Sequence, residues 1–136
     1  MSFGARFASP GPGDLCPCDS GARFDGCCGP LLAGAPAPTA ERLMRSRYTA
    51  FATGDAGYLE RTWHPRTRPA DLDLDPAQRW TGLRILSSFE GGVEDMEGVV
   101  EFEASWTFGS ERGSLHERSR FARRGGRWVY VDEDVE

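Results

Sequence analysis

From about residue 80 onward the chain alternates apolar and polar positions. Val100, Phe102, Ala104, Trp106 and Phe108 interleave with Val99, Glu101, Glu103, Ser105 and Thr107, the period-two pattern of a strand with one buried and one wet face. Leu83, Ile85 and Phe89 suggest a strand before it. Strands are expected near 98–108, 113–124 and 127–133, with Gly125-Gly126 as a two-residue hairpin signal between the last two. Before residue 66 the period is helical. Thr39 can cap and Gly54 can stop a helix whose apolar stripe is Ala40, Leu43, Met44, Tyr48 and Phe51. Arg47 falls near the centre of that stripe, where an apolar residue belongs. Asp55 can cap a second, short helix through Tyr58, Leu59 and Trp63, closed by His64-Pro65. Helices followed by sequential antiparallel strands define an α+β class.

Charge suggests a register. With Phe108 opposite Gly113, Trp106 meets Leu115 and Val100 meets Phe121 on one face, while Glu103 meets Arg118 and Glu101 meets Arg120 on the other. The glycine hairpin then sets Phe121 beside Tyr130 and Arg118 beside Glu133. The outer face becomes a lattice of ion pairs that also carries His116. The inner face carries the aromatics together with Glu117, Ser119 and Asp132. A buried carboxylate is costly unless paired, so Arg47 and Glu117 are expected to form a buried ion pair, with Ser119 or Asp132 taking spare guanidinium donors. The connection 66–78 is polar. Its Asp71-Leu72-Asp73-Leu74-Asp75 repeat lacks the glycine and terminal glutamate of an EF-hand and reads as a solvated turn.

All four cysteines lie ahead of these elements, in Cys16-Pro17-Cys18 and Cys27-Cys28. Two close pairs separated by a glycine-containing loop can bring four thiols to the corners of a tetrahedron, the arrangement of a structural zinc site. Disulfides compete: two bridges allow three connectivities, but C-x-C is too short for an easy bridge and adjacent cysteines each need a well-placed partner. The spacing favours zinc bound by Cys16, Cys18, Cys27 and Cys28. A unit this small is expected to lose order over 15–29 without its metal and to leave the rest folded. Residues 1–14, rich in glycine, proline and serine, read as a flexible lead-in; 15–33 as the knuckle; 34–38 as a stiff linker; 39–136 as the main domain.

Net charge is −5, and the acidity lies in the main domain, since the chain to Arg47 balances five arginines against four acids. That weighs against nucleic acid as a partner, even with Arg23, Arg42 and Arg45 near the knuckle. No signal-like or membrane-spanning run is present, and reduced thiols suit a cytoplasmic protein. A monomer is expected.

The cysteine stretch resembles the SEC-C motif, C-x-C-G-S-G-[KR]-x-[FY]-x-x-C-[CH]-G, with Cys16, Cys18, Ser20, Gly21, Arg23, Phe24, Cys27, Cys28 and Gly29 in place. Asp19 replaces a glycine, and aspartate is among the residues that tolerate a left-handed backbone. Most of the chain also resembles the YchJ-like family of bacterial proteins, through the knuckle, Leu43 to Phe51, Thr62-Trp63-His64-Pro65 and Leu115 to Phe121. The resemblance implies a SEC-C knuckle before a cone-shaped, cystatin-like sheet of the nuclear-transport-factor-two type. It supplies no activity. By analogy with the translocation motor that carries the motif, it implies a protein-interaction or adapter role for the knuckle, and so a possible protein partner. The alternative is a small-molecule site or enzyme (isomerase, dehydratase or hydrolase) in the cone, with Arg47, Tyr48, Trp63, His64, Glu117, Ser119 and Asp132 as ligand-binding candidates. No catalytic residue is assigned: no Ser-His-Asp set can be assembled, and four cysteine ligands leave zinc no open position.

Overall fold

The computed structural model describes residues 7–11 and 13–134. Much of the lead-in expected over 1–14 lies outside the described residues. A short 3-10 turn, Phe24–Gly26, leads into α1 (Cys28–Leu32). Then come α2 (Ala40–Thr53) and α3 (Ala56–Arg61), followed by β1 (Gln78–Glu90), β2 (Glu97–Phe108), β3 (Glu111–Arg124) and β4 (Arg127–Glu133). The strands form one antiparallel sheet in the order β1-β2-β3-β4, and α2 packs on its inner face.

The helix ends are set by the residues that announce them. The Thr39 hydroxyl accepts the Arg42 N–H at 3.1 Å, and Gly54 closes α2 at φ +79°. Asp55 accepts the Tyr58 N–H at 3.0 Å and starts α3. The Ala40 N–H also donates to Gly91 in the β1–β2 hairpin at 2.9 Å. That close approach needs glycine: a Cβ on Gly98 would stand 2.5 Å from the Gly91 Cα and 3.3 Å from the Ala40 Cβ. Helix α3 is shorter than its apolar pattern suggests. It stops at Arg61, and residues 62–64 run along β4 instead, with the Tyr130 N–H donating to Thr62 and the His64 N–H to Tyr130, both at 2.8 Å. This segment covers the β4 edge, which would otherwise present unpaired backbone.

Facing follows the alternation, with Val100, Phe102 and Ala104 buried and Glu101 and Glu103 on the wet side. Register between β2 and β3 differs by two residues from the expected one. Phe108 pairs with Glu111 across a two-residue turn opened by Gly109 (φ +62°), so Trp106 meets Gly113 and Glu101 meets Arg118. Gly113 is not a turn residue. It leaves room for the Trp106 indole, whose Cζ2 would lie 2.7 Å from a Cβ there. Because the slip is even, every side chain keeps its face. Glu103, expected beside Arg118, instead reaches Arg84 of β1 at 3.4 Å.

The second hairpin is as expected near its turn, with Gly125 and Gly126 at φ +60° and +82° and Phe121 opposite Tyr130. Beyond that pair Val131 is the extra residue of a β-bulge, so Asp132 pairs with Arg120 and Glu133 with Ser119. The outer face therefore carries Arg120–Asp132 (2.6 Å), His116–Glu101 (2.6 Å) and Arg118–Glu101 (3.5 Å).

The knuckle is not a separate bead. Its four cysteines are buried in the same apolar cluster as Leu43, Tyr48 and Leu59. Arg45 donates to the Cys18 carbonyl at 2.9 Å and Arg42 to the Cys27 carbonyl at 3.2 Å, both from α2. Asp19 takes the left-handed backbone its place requires (φ +61°), and its side chain accepts the Leu83 N–H of β1 at 3.0 Å.

Candidate functional site

Two places concentrate chemistry: the cysteine cluster and a cavity under α2. The ligand atoms of Cys16, Cys18, Cys27 and Cys28 all lie within 4.8 Å of one another, and all four residues are buried. The Cys18 and Cys27 sulfurs are 3.6 Å apart. A tetrahedral ion with metal–sulfur bonds of about 2.3 Å sets sulfurs about 3.8 Å apart, so the Cys18–Cys27 pair already stands at the spacing such an ion needs. Ser20 Oγ at 3.1 Å from Cys27 and Thr49 Oγ1 at 3.8 Å from Cys16 supply outer partners for the sulfurs. Hydrogen bonds from Cys18 and Cys28 hold the Cys16 thiol well below the usual thiol range, while its contacts with Cys16 and Cys18, and burial, push Cys28 up. Crowded thiols without a cation cannot all ionise; a cation bound at their centre removes that conflict.

The cavity, about 230 Å³, opens between α2 and the inner sheet. Met44, Phe51, Trp80, Phe102 and Leu115 give it an apolar body. Arg47, Trp63, Glu117, Ser119 and Tyr130 contribute its polar part.

Arg47 is 3% exposed. Its Nη1 donates to the Leu59 carbonyl at 3.0 Å and to Thr62 Oγ1 at 2.8 Å. Its guanidinium lies over the rings of both Trp63 and Tyr130, with Cζ 4.8 Å from each centroid. Burial lowers its pKa to about 10, so it remains a cation at neutral pH. Glu117 is held from the sheet side. Its Oε2 accepts from Ser119 Oγ at 2.5 Å and from the Tyr130 hydroxyl at 3.2 Å. Burial, reinforced by the Glu117 charge, pushes the Tyr130 phenol up, which keeps it the donor.

The expected direct ion pair between Arg47 and Glu117 is therefore not formed. Tyr130 stands between the two charges, offering its ring face to the cation and its hydroxyl to the anion. Of the seven ligand-binding candidates, five line the cavity: Arg47, Tyr48, Trp63, Glu117 and Ser119. Asp132 does not; the Val131 bulge turns it to the outer face and Arg120. His64 does not either. Its Nδ1 accepts the Arg66 N–H at 3.1 Å, so the ring closes its own turn. Tyr130 is the participant that sequence reasoning passed over. Its place opposite Phe121 on the inner face was the available signal. Thr62, which anchors Arg47, left none.

A curved sheet closed over a helix around such a cavity, with a cysteine knuckle at its head, defines an NTF2-like domain carrying a SEC-C motif. The family model of the YchJ middle NTF2-like domain matches residues 39–133, and the chain belongs to the YchJ-like, UPF0225 family. It is 57% identical over 122 residues to the UPF0225 protein SCO1677 of Streptomyces coelicolor, covering 89% of this chain and 95% of that protein. It is 49% identical over 119 residues to a UPF0225 protein of Deinococcus radiodurans, covering 86% of each. Among solved structures, it resembles RPA3114, a SEC-C motif containing protein from Rhodopseudomonas palustris. The TM-score there is 0.76 at 37% identity, over 89% of this chain and 98% of that one. A SEC-C motif containing protein from Psychrobacter arcticus shares the fold, with a TM-score of 0.71 at 24% identity, over 90% of this chain and 83% of that one. Among the described residues no helix is long and apolar enough to cross a membrane.

Proposed function

We propose that this protein binds a small molecule in the cavity of its NTF2-like domain, and that its knuckle holds a structural zinc ion. The observation that carries the first part is the open cavity, in which a buried cation and a carboxylate converge without pairing to each other. Ordinary cores pair buried charges directly or exclude them. A concave, largely apolar site with a few convergent polar groups is the usual form of a small-ligand site.

An all-sulfur, tetrahedral donor set suits zinc, and four protein ligands close its coordination sphere, which gives it a structural role. A docking role for the knuckle has less support. Its cysteines face α2, and Leu15, 69% exposed, is the one strongly exposed large apolar side chain of the described knuckle. A cytoplasmic location remains part of this reading, because four cysteines outside any disulfide stay reduced, and so available to a metal, in a reducing compartment.

Elemental analysis of protein purified without added metal is expected to return one zinc per chain; iron, or no metal, overturns the zinc assignment. For the cavity, a library of small aromatic fragments of mixed charge is screened by the indole N–H resonances. Hits are expected to move Trp63 and Trp80 and to leave Trp128, packed on the linker side, in place. A library that moves none of them removes the ligand-binding reading.

A further inference from the structure

The polar corner of the cavity is unequal in what it leaves unsatisfied. Arg47 spends one nitrogen, Nη1, on Leu59 and Thr62, and neither Nη2 nor Nε meets an acceptor among the described residues. Trp63 Nε1, in the ring stacked on that same guanidinium, is buried and likewise without an acceptor among them. Trp63 Nε1 is one of two buried side-chain donors left without a partner among the described residues, the other being Arg118 Nε on the outer face; in the wall of a cavity such a donor calls for an occupant. Three N–H-bearing nitrogens therefore lack an acceptor in one corner. The aromatic faces of Trp63 and Tyr130 clamp the guanidinium, so its free edge cannot swing away to find one.

On the sheet side the deficit has the opposite sign. Glu117 Oε2 already accepts two hydrogen bonds, while Oε1 receives none from the described residues. One wall of the corner thus wants an acceptor, preferably anionic and planar. The other wants a donor. Tyr130 lies between them, its ring face to the guanidinium and its hydroxyl to the carboxylate. The rest of the lining is apolar and aromatic. At about 230 Å³ the cavity is smaller than the roughly 300–1,000 Å³ of drug-sized sites.

Building on the ligand-binding reading, we infer that the cavity takes a small α-hydroxy or α-amino carboxylic acid with an apolar or aromatic side chain. Its carboxylate lies on the free edge of Arg47. Its hydroxyl or ammonium group donates to Glu117 Oε1. Its side chain lies against Phe51, Trp80 and Phe102. The cation and the carboxylate of the site cancel, so an occupant carrying only a negative group pays repulsion from Glu117 unless a donor stands between them. The Ser119 and Tyr130 hydroxyls spread part of the Glu117 charge, which lowers that repulsion without abolishing it.

Four probes share one phenyl body and differ in polar groups: 3-phenyllactate, L-phenylalanine, 3-phenylpropionate and 2-phenylethanol. Binding is followed by the Trp63 indole N–H resonance and by calorimetry on the metal-loaded full chain. Phenyllactate or phenylalanine is expected to bind about tenfold or more tighter than phenylpropionate, the worth of one hydrogen bond to a charged acceptor. Phenylethanol is expected to bind weakest, and whichever of the first two wins tells hydroxy acid from amino acid. In Glu117→Gln the preference over phenylpropionate is expected to shrink to within about threefold while the need for a carboxylate persists. Arg47→Lys, which keeps the charge and loses the fork, is expected to weaken the acids about tenfold or more. A cavity that takes phenylethanol as well as the acids overturns the inference and leaves the ligand-binding reading standing. So does a Glu117→Gln protein with unchanged selectivity. A cavity that takes none of the four, but takes other fragments, overturns the inference alone; one that takes no fragment at all overturns both.

Discussion

Replacing Arg47 with methionine tests how the buried cation is held. The substitution removes the bonds to Leu59 and Thr62, each worth about 2 kcal/mol for a charged donor. It also removes contacts with two aromatic faces, each about 1 kcal/mol. Against this stands relief of charge burial. Burial lowers the guanidinium pKa to about 10, which corresponds to about 3 kcal/mol of penalty, and methionine refills most of the stem. The net expectation is a loss of about 3 kcal/mol in urea denaturation, with an unchanged m-value. The sign of the linkage fixes the pH range. The unfolded chain holds this proton more tightly, so the penalty is complete below about pH 10 and is relieved as pH rises above it. Measurements at pH 7 and pH 9 should therefore agree. Glu117→Gln and the double variant complete a thermodynamic cycle. Because Tyr130 separates the two charges, the coupling energy should stay under about 1 kcal/mol. A coupling near the 3–5 kcal/mol cost of breaking a buried pair, or an Arg47→Met protein as stable as the parent, refutes this account.

Other positions give independent checks. Gly98→Ala sets a Cβ against the Gly91 backbone at 2.5 Å and is expected to cost about 2 kcal/mol by overpacking; an unchanged melting temperature would show that the hairpin can shift away. Asp19→Asn keeps both the left-handed preference and the acceptor for Leu83 and should lie within about 0.5 kcal/mol of the parent. Asp19→Ala orphans that N–H and should cost about 2 kcal/mol; equal stability of the two would disprove the tie between knuckle and β1. His116→Ala removes an exposed contact to Glu101 and is expected to leave the denaturation midpoint nearly unmoved.

Local chemistry was legible in the chain, and geometry set at a distance was not. Thr39, Gly54, Asp55 and Gly125-Gly126 act where they stand, because caps and tight turns are decided by a few neighbouring residues. The strand faces were legible too, since alternation in β2 survives any even slip. The register was not, because the charge pattern suggests Phe108 opposite Gly113 across a longer turn, whereas the chain turns in two residues and pairs Phe108 with Glu111. Gly109 makes that turn, and Gly113 yields space to Trp106. A bulge is harder still. Nothing local to Val131 marks it as the extra residue, yet it decides that Asp132 faces water rather than the cavity. The anomaly at Arg47 was visible as a charge in an apolar stripe. Its partners were not, because they come from α3, the segment after it and β4, and because the nearest opposite charge is intercepted by Tyr130.

The same helix explains why knuckle and cavity share one domain. One side of α2 presents Arg42, Arg45 and Thr49 to the knuckle, and another presents Met44, Arg47, Tyr48 and Phe51 to the cavity. The cysteines are part of the core that holds this helix against the sheet. From spacing alone, loss of the metal was expected to disorder 15–29 and spare the rest. The packing argues for a wider effect. Without a cation the crowded sulfurs cannot all stay ionised, and separating them withdraws apolar cover from α2 and the acceptors of Arg42 and Arg45. Chelation of the proposed zinc should therefore lower the melting temperature of the whole domain and speed hydrogen exchange in α2 as well as in the knuckle. Exchange that quickens only over 15–29, with the melting temperature unmoved, would show that the cone holds its helix unaided.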